Sequence, residues 1–401
     1  MRIGLSLLVF GAVGAVACGG GDDDAGSGGT GGASGGSSGS GGSVAGAGGT
    51  SSTGGTSSTG GTSSTGGTSS TGGTSSTGGT SSTGGTSSTG GTSSTGGTGG
   101  APVACGASCT GTKLCDDSNK CVCAPGWEPS GATCVASAIS DPTKRKKAEV
   151  CSQYAAAKVS GYKEWIAGTG GNCDPGTVPY SGQAAALRWL NFYRWMLGVG
   201  PVQVDPATAQ GQQECAKILN YSFGHSPAPT VQCYTKLGAT ACGSSLIAGG
   251  YGLVGQVNGY ALENDQNLVH RRNVLSVGRA GVWFGASGSS SDMHYGGAYT
   301  ALSSDPAFVA HPGPGLNVKS AVPTVWFVQK GKASTPKLAA RVFVISTGKE
   351  NPMKQGHFYT DFSSFSPDGW QPQLDVPYRV ELRNDTGALF AQYETTFVTC
   401  P

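Results

Sequence analysis

The side chains best suited to chemistry in this chain of 401 residues are five histidines and thirteen cysteines. Imidazole transfers protons near neutral pH and binds metal ions, whereas thiols form disulfides or hold zinc. The histidines are His225, His270, His294, His311 and His357. None begins a His-Glu-x-x-His motif, and no Gly-x-Ser-x-Gly elbow occurs after residue 100. These catalytic motifs therefore do not single out any histidine.

The cysteines fall into two groups once Cys18, near the N-terminus, is set aside. The first group is Cys105, Cys109, Cys115, Cys121, Cys123 and Cys134, and the second is Cys151, Cys173, Cys215, Cys233, Cys242 and Cys400. An even count is typical of disulfide-bonded exported proteins. A zinc knuckle is the alternative for the first group, but Cys-x₂-Cys pairs are absent. We predict disulfides in both groups, three of them in the second, with Cys400 tied to an earlier element.

The N-terminus has the pattern of a signal peptide. Arg2 precedes an apolar run, and small residues at 15–17 come directly before Cys18. A cysteine at this place resembles a bacterial lipobox, which implies cleavage after residue 17 and acylation of Cys18 as a membrane anchor. Gly19, rather than Asp, follows the cysteine and favours the outer membrane or cell surface. The alternative is ordinary signal cleavage beside an unmodified cysteine.

Residues 18–104 are predicted to be a disordered tether. The chain has 71 glycines, and 34 of them lie between Gly19 and Gly100. From Gly48 to Thr95 the hexad Gly-Gly-Thr-Ser-Ser-Thr repeats eight times, and it offers no apolar side chains for a core. The net charge of +2 gives no reason to expect nucleic-acid binding.

Globular patterning begins near residue 140. Ser140-Asp141-Pro142 is a helix-start signal, and helical spacing of apolar residues predicts a second helix over 183–197. Asp205 before Pro206 is predicted to cap a third helix. Strands are predicted at 280–286, 294–302 and 308–311.

Short segments of this region follow one another in a recognisable order. They are Leu190–Arg194, Gly198–Asp205, Asn220–Ser226, Cys233–Thr235, Gly243–Leu246 and His270-Arg271-Arg272. They resemble the CAP superfamily, also known as the SCP/TAPS fold, including a bacterial branch of it. The last segment departs from the family pattern, because Val269 replaces a glycine and Asn273 a tryptophan. The resemblance implies an α-β-α sandwich over residues 140–312, within an α+β protein.

Many CAP proteins gather two histidines and two acidic residues in one cleft. The resemblance carries this set over to His225, Glu263 and His270, while Ser244 stands at the position of the second acid. Two imidazoles and a carboxylate could bind zinc, with Glu263 as a ligand or as the base for a bound water. His270 could instead deprotonate a serine, or the histidines could serve only to hold the loops. We expect these four residues to bind a ligand, and we consider catalysis by His225, Glu263 and His270 the less favoured role.

Two smaller regions complete the prediction. The Cys121-Val122-Cys123 pair, followed by Ala-Pro-Gly-Trp and Cys134, resembles the C-terminal half of an EGF-like module, which we assign to residues 105–134. Residues 315–401 alternate in hydropathy and are predicted to form a small β-sandwich. Phe362, Phe365 and Trp370 in that region are predicted loop aromatics that could stack on a carbohydrate.

Together these features predict a surface-anchored extracytoplasmic lipoprotein. Its CAP-like domain would bind a lipid, glycan or protein in the His/Glu cleft, without a required cofactor. A secreted hydrolase using the same cleft, with or without zinc, is the alternative.

Overall fold

The computed structural model describes residue 109 and residues 111–265, 267–277, 281–296, 304–331 and 335–401. The predicted signal peptide, the lipid anchor at Cys18 and the tether of residues 18–104 lie outside these residues. The described part is an α+β protein and belongs to one compact unit of the chain. No helix in these described ranges is long and apolar enough to cross a membrane.

Helices and strands alternate in the first half of the described chain, and strands dominate the second half. The helices are α1 (Lys147–Ala157), α2 (Tyr180–Met196), α3 (Ala209–Leu219), α4 (Lys236–Ser244), α5 (Leu253–Ala261) and α6 (Val269–Leu275). The first strands are β1 (Lys113–Cys115), β2 (Cys121–Cys123), β3 (Trp127–Ser130), β4 (Thr133–Ala136), β5 (Gln203–Val204), β6 (Ser245–Gly249), β7 (Gly281–Ser287) and β8 (Ser290–Gly296). The later strands are β9 (Phe308–His311), β10 (Gly315–Val318), β11 (Trp326–Lys330), β12 (Leu338–Val344), β13 (Glu350–Asn351), β14 (Met353–Tyr359), β15 (Phe362–Pro367), β16 (Pro377–Asn384) and β17 (Leu389–Val398).

The cysteine-rich module consists of two small hairpins, β1–β2 and β3–β4. Disulfides Cys109–Cys121 and Cys123–Cys134 hold them, and Cys115 is also disulfide-bonded. The module has few apolar residues of its own, so these bonds replace the core that a segment of this size lacks.

The second cysteine group forms three disulfides, as predicted. They are Cys151–Cys400, Cys173–Cys233 and Cys215–Cys242. Cys400 thus ties the C-terminus to α1, which confirms the expectation for this residue. Disulfides of this number indicate an extracellular or otherwise oxidising environment.

A four-stranded sheet in the order β5-β7-β8-β6, which we call the first sheet, has helices on both faces. Ile247 on β6 packs with residues of α3 and α4, which the Cys215–Cys242 disulfide joins. Phe284 and Met293, on β7 and β8, belong to the larger core that α2 and α5 share. The helical spacing recognised in α2 is confirmed, because Leu187, Leu190 and Tyr193 are almost completely buried.

The remaining strands form two sheets packed face to face. The second sheet has the order β14-β15-β11-β9, and the third has the order β10-β17-β16-β12-β13. Trp326 and Phe365 of the second sheet share a core with Val342 and Val380 of the third. The opposite face of the second sheet carries Phe327, which belongs to the core of the helical half. The second sheet therefore lies between the helices and the third sheet.

Three local predictions are wrong. Phe308–His311, expected to belong with the strands of the 140–312 segment, pairs with β11 in the second sheet. Phe362 and Phe365 are buried in β15, because alternate residues of this central strand face the two cores. Asp205 makes no side-chain cap; a 3-10 turn over Pro206–Thr208 leads into α3 instead.

Candidate functional site

Glu263 and His270 form a carboxylate–imidazole pair. Glu263 follows α5, and His270 lies in the first turn of α6. The Glu263 Oε1 to His270 Nδ1 distance is 2.8 Å, and Oε2 accepts the backbone N–H groups of His270 (3.1 Å) and Arg271 (3.0 Å). Leu268 takes a left-handed conformation with φ of 51° and turns the chain between the two residues. The carboxylate thereby fixes both the conformation of the loop before α6 and the orientation of the imidazole ring.

The imidazole of His270 is packed from one side by Tyr260. The two rings are stacked, with centroids 4.5 Å apart and planes 9° apart. Gln256 Nε2 donates to the Tyr260 hydroxyl (3.0 Å) and to the carbonyl of Leu246 (3.2 Å) on β6. His270 is 4% exposed. Its stacking partner Tyr260 is linked through Gln256 to strand β6 of the first sheet.

His225 and Ser244 are held at the C-terminal end of α4. His225 is half-buried, and its Nδ1 is 2.8 Å from the carbonyl of Cys242. The Ser244 hydroxyl donates to the carbonyls of Thr240 and Ala241, within its own helix. Tyr221 and Phe223, just before His225, are 43% and 45% exposed. Both residues belong to the Asn220–Ser226 segment and give this surface an aromatic character.

The predicted zinc ligands are not assembled in this structure. Among the described residues, no group of three or more His, Cys, Asp or Glu side chains is placed to hold a metal ion. Both carboxylate oxygens of Glu263 already accept hydrogen bonds from the α6 turn. In the structure these hydrogen bonds make Glu263 the partner of His270 and of the α6 backbone.

Arg271, the second residue of the His270-Arg271-Arg272 segment, lies next to this pair. Arg271 is completely buried, donates to the carbonyl of Val325 (2.6 Å) and lies 4.9 Å from the Phe327 ring centroid. Burial lowers its pKa to about 9, against the opposing effect of Glu263. His311 is also completely buried, and burial followed by the nearby Arg271 lowers its pKa to about 3. His311 is therefore neutral, with Nε2 2.9 Å from the carbonyl of Ala321.

A second buried ionisable group lies between α3 and the first sheet. Asp292 on β8 is fully buried, and neither carboxyl oxygen has a partner elsewhere in the described part of the chain. Burial raises its pKa well above the usual value, opposed only by a smaller effect of its own backbone N–H. A Cβ at Gly285, on the neighbouring strand, would collide with this carboxyl. Burial at this site thus favours the protonated form of the acid.

The remaining two histidines have local roles. His294 Nε2 lies 3.8 Å from Asp205 Oδ2, and burial lowers its pKa despite that carboxylate. His357 is exposed on β14.

Compared with known proteins, the chain matches no family model, no curated protein and no solved structure.

Proposed function

We propose that the protein is a surface-anchored extracytoplasmic lipoprotein that binds a lipid, glycan or protein ligand. In this proposal Cys18 carries the lipid, residues 105–134 form an EGF-like module, and residues 140–312 include a CAP-like domain. The ligand contacts His225, Ser244, Glu263 and His270. The disulfides support export of the chain, because such bonds persist in oxidising compartments.

The layout of the helical half supports the CAP-like part of the proposal. Leu190–Arg194 lies inside α2, Gly198–Asp205 leads into and includes β5, and His270 lies on α6. Helices cover both faces of the first sheet, which is the layering of an α-β-α sandwich.

The observation that carries the binding proposal is the bracing of His270 by Glu263. Three hydrogen bonds to one carboxylate, together with the stacked Tyr260 ring, hold the imidazole in a single orientation. Polar groups held in this way lose little conformational entropy when a ligand arrives.

Co-sedimentation of the full chain carrying Cys18→Ser tests this proposal. The probes are peptidoglycan sacculi for glycan and vesicles of phosphatidylethanolamine and phosphatidylglycerol for lipid. We expect saturable binding to one of them, weakened roughly tenfold or more by His225→Ala and by His270→Asn.

His357→Ala is the matched control, because His357 is exposed on β14 and belongs to no part of the site. Melting temperatures of all variants show whether a loss of binding comes from unfolding. Folded His225→Ala and His270→Asn variants that bind as tightly as the parent chain would contradict the proposal.

A hydrolase is the second candidate, favoured by one feature of the pair. A carboxylate on Nδ1 holds an imidazole in one orientation, as the acid does beside the histidine of a catalytic triad. Hydrolysis of p-nitrophenyl butyrate by the purified chain, reduced about 100-fold by Glu263→Gln, would support this candidate. Equal rates in the two proteins would remove it.

A further inference from the structure

A cavity of about 300 Å³ lies between the cysteine-rich module and helices α1 and α2. Its wall on α2 is formed by Arg188, Asn191, Phe192 and Trp195, whose spacing of three, four and seven residues places them on one helix face. None of the four candidate site residues lines it. The volume is at the lower end of the range typical of small-molecule sites.

The walls of this cavity are held in place by contacts between the module and the helical half. Trp127 Nε1 donates to the carbonyl of Val202 (2.8 Å), and Asn191 Nδ2 donates to that of Pro125 (2.6 Å). A Cβ at Gly126 would lie 2.7 Å from Pro201 Cβ, so the module backbone approaches the helical half closely. The cavity therefore exists before any ligand arrives.

Arg188 is the unusual member of the lining. Its side chain is half-buried and makes no hydrogen bond, ion pair or ring contact with any residue that the structure describes. Every other described arginine makes at least one hydrogen bond or ion pair. A guanidinium offers five donors in a planar fork that matches a carboxylate. All five remain available to a ligand in the cavity.

The other lining residues indicate which chemical groups a ligand would carry besides a carboxylate. Half-buried Trp195 supplies aromatic surface and Ile139 supplies aliphatic surface, while Phe192 and Val199 line the cavity with little exposed surface of their own. Glu128, on β3, also lines the cavity, is exposed and makes no ion pair with a described residue. The lining thus combines apolar surface with one unpaired cation, one carboxylate and the polar side chains of Ser137, Gln153 and Asn191.

We propose that this cavity binds a small organic carboxylate with an apolar body. Arg188 holds the carboxylate in a bidentate pair, and Phe192 and Trp195 pack against the body. Two sources share this chemistry: amine-free organic acids, and amino acids whose ammonium group pairs with Glu128.

Isothermal titration of phenylacetate and of phenylalanine into the full chain with Cys18→Ser tests this site. We expect one-to-one binding that Arg188→Gln weakens roughly tenfold to a hundredfold, as removal of a bidentate charged pair requires. Ala156→Phe, which places a ring into the cavity from an exposed position on α1, should also weaken binding. Arg341→Gln is the control, because Arg341 pairs with Glu350 on the third sheet.

The two probes distinguish the sources. Tighter binding of phenylalanine, lost in Glu128→Gln, identifies the amino-acid class, and equal or tighter binding of phenylacetate identifies the amine-free class. The absence of saturable binding of either probe up to about 10 mM would overturn the proposal. Equal affinity in folded Arg188→Gln would overturn it as well.

Discussion

Single residues in this protein are held by a small number of strong polar contacts. Glu263 accepts hydrogen bonds from the His270 ring and from two backbone N–H groups. Its loss would therefore alter both the loop before α6 and the orientation of the imidazole. Arg271 and His311 differ from Glu263 in this respect. Both are fully buried, but some of their nitrogens have no hydrogen-bond partner among the described residues.

Asp292 gives a pH-dependent prediction at the residue scale. Its pKa is raised in the folded protein above the usual 3.8, so above that pH the unfolded chain releases the proton more readily. The free energy of unfolding should fall as the pH rises through this range. Asp292→Asn removes the effect and should stabilise the protein at pH 8 by an amount on the order of 1–3 kcal/mol.

Urea unfolding of both proteins at pH 8 and at about pH 2.5 measures this difference. The gain should disappear at the acidic pH, where the carboxyl is neutral in both states. An asparagine variant less stable than the parent chain at pH 8 would show that the carboxylate is satisfied in the native protein.

The sequence allowed part of the candidate site to be predicted. The family resemblance places Glu263 and His270 in one cleft, and the two side chains form a pair in the structure. They are only seven positions apart, and the loop and the start of α6 between them bring the side chains together. The burial of Arg271 was not foreseen, since it depends on Val325 and Phe327, more than fifty residues later. The place of Arg188 in a cavity wall depends in the same way on the module, which supplies the facing residues Pro125, Gly126 and Glu128.

At the scale of elements, the Cys151–Cys400 disulfide joins α1 to the residues after β17 and closes a loop with a separation of 249. Replacing both cysteines by serine should lower the free energy of unfolding by about 2–5 kcal/mol. The loss should exceed that for Cys173–Cys233, with a separation of 60, by about 1 kcal/mol in the chain-entropy description. Urea unfolding of the two double variants makes the comparison, and a larger loss for Cys173–Cys233 would contradict it.

Elements whose apolar residues recur with a clear periodicity were predictable from the sequence, and short elements were not. Helix α2, predicted over 183–197, spans Tyr180–Met196, because its apolar residues recur at helical spacing over four turns. Helices α4, α5 and α6 are short, with seven to nine residues each, and take their stability from packing rather than from local sequence. Strand β9 matches its predicted bounds, but sheet membership is a long-range property that periodicity does not encode.

At the scale of the whole molecule, we propose a disulfide-bonded protein anchored to the membrane by a lipid on Cys18. If Cys18 is acylated, the mature N-terminal peptide carries the mass of a diacylglyceryl group, and the protein sediments with the membrane fraction. Cys18→Ser should remove both properties while leaving the melting temperature unchanged, which thermal unfolding of the two proteins measures. An unmodified peptide from the membrane-associated parent protein would contradict the anchor.

The most direct test of ligand binding at the His225 and His270 region is histidine-selective ¹⁵N NMR of the full chain with Cys18→Ser. The chain is titrated with soluble peptidoglycan fragments and, separately, with short-chain phosphatidylglycerol. The account predicts that one of these shifts the imidazole resonances of His225 and His270 in a saturable way, while those of exposed His357 stay unchanged. Saturable binding of either probe that leaves His225 and His270 unshifted would contradict the account.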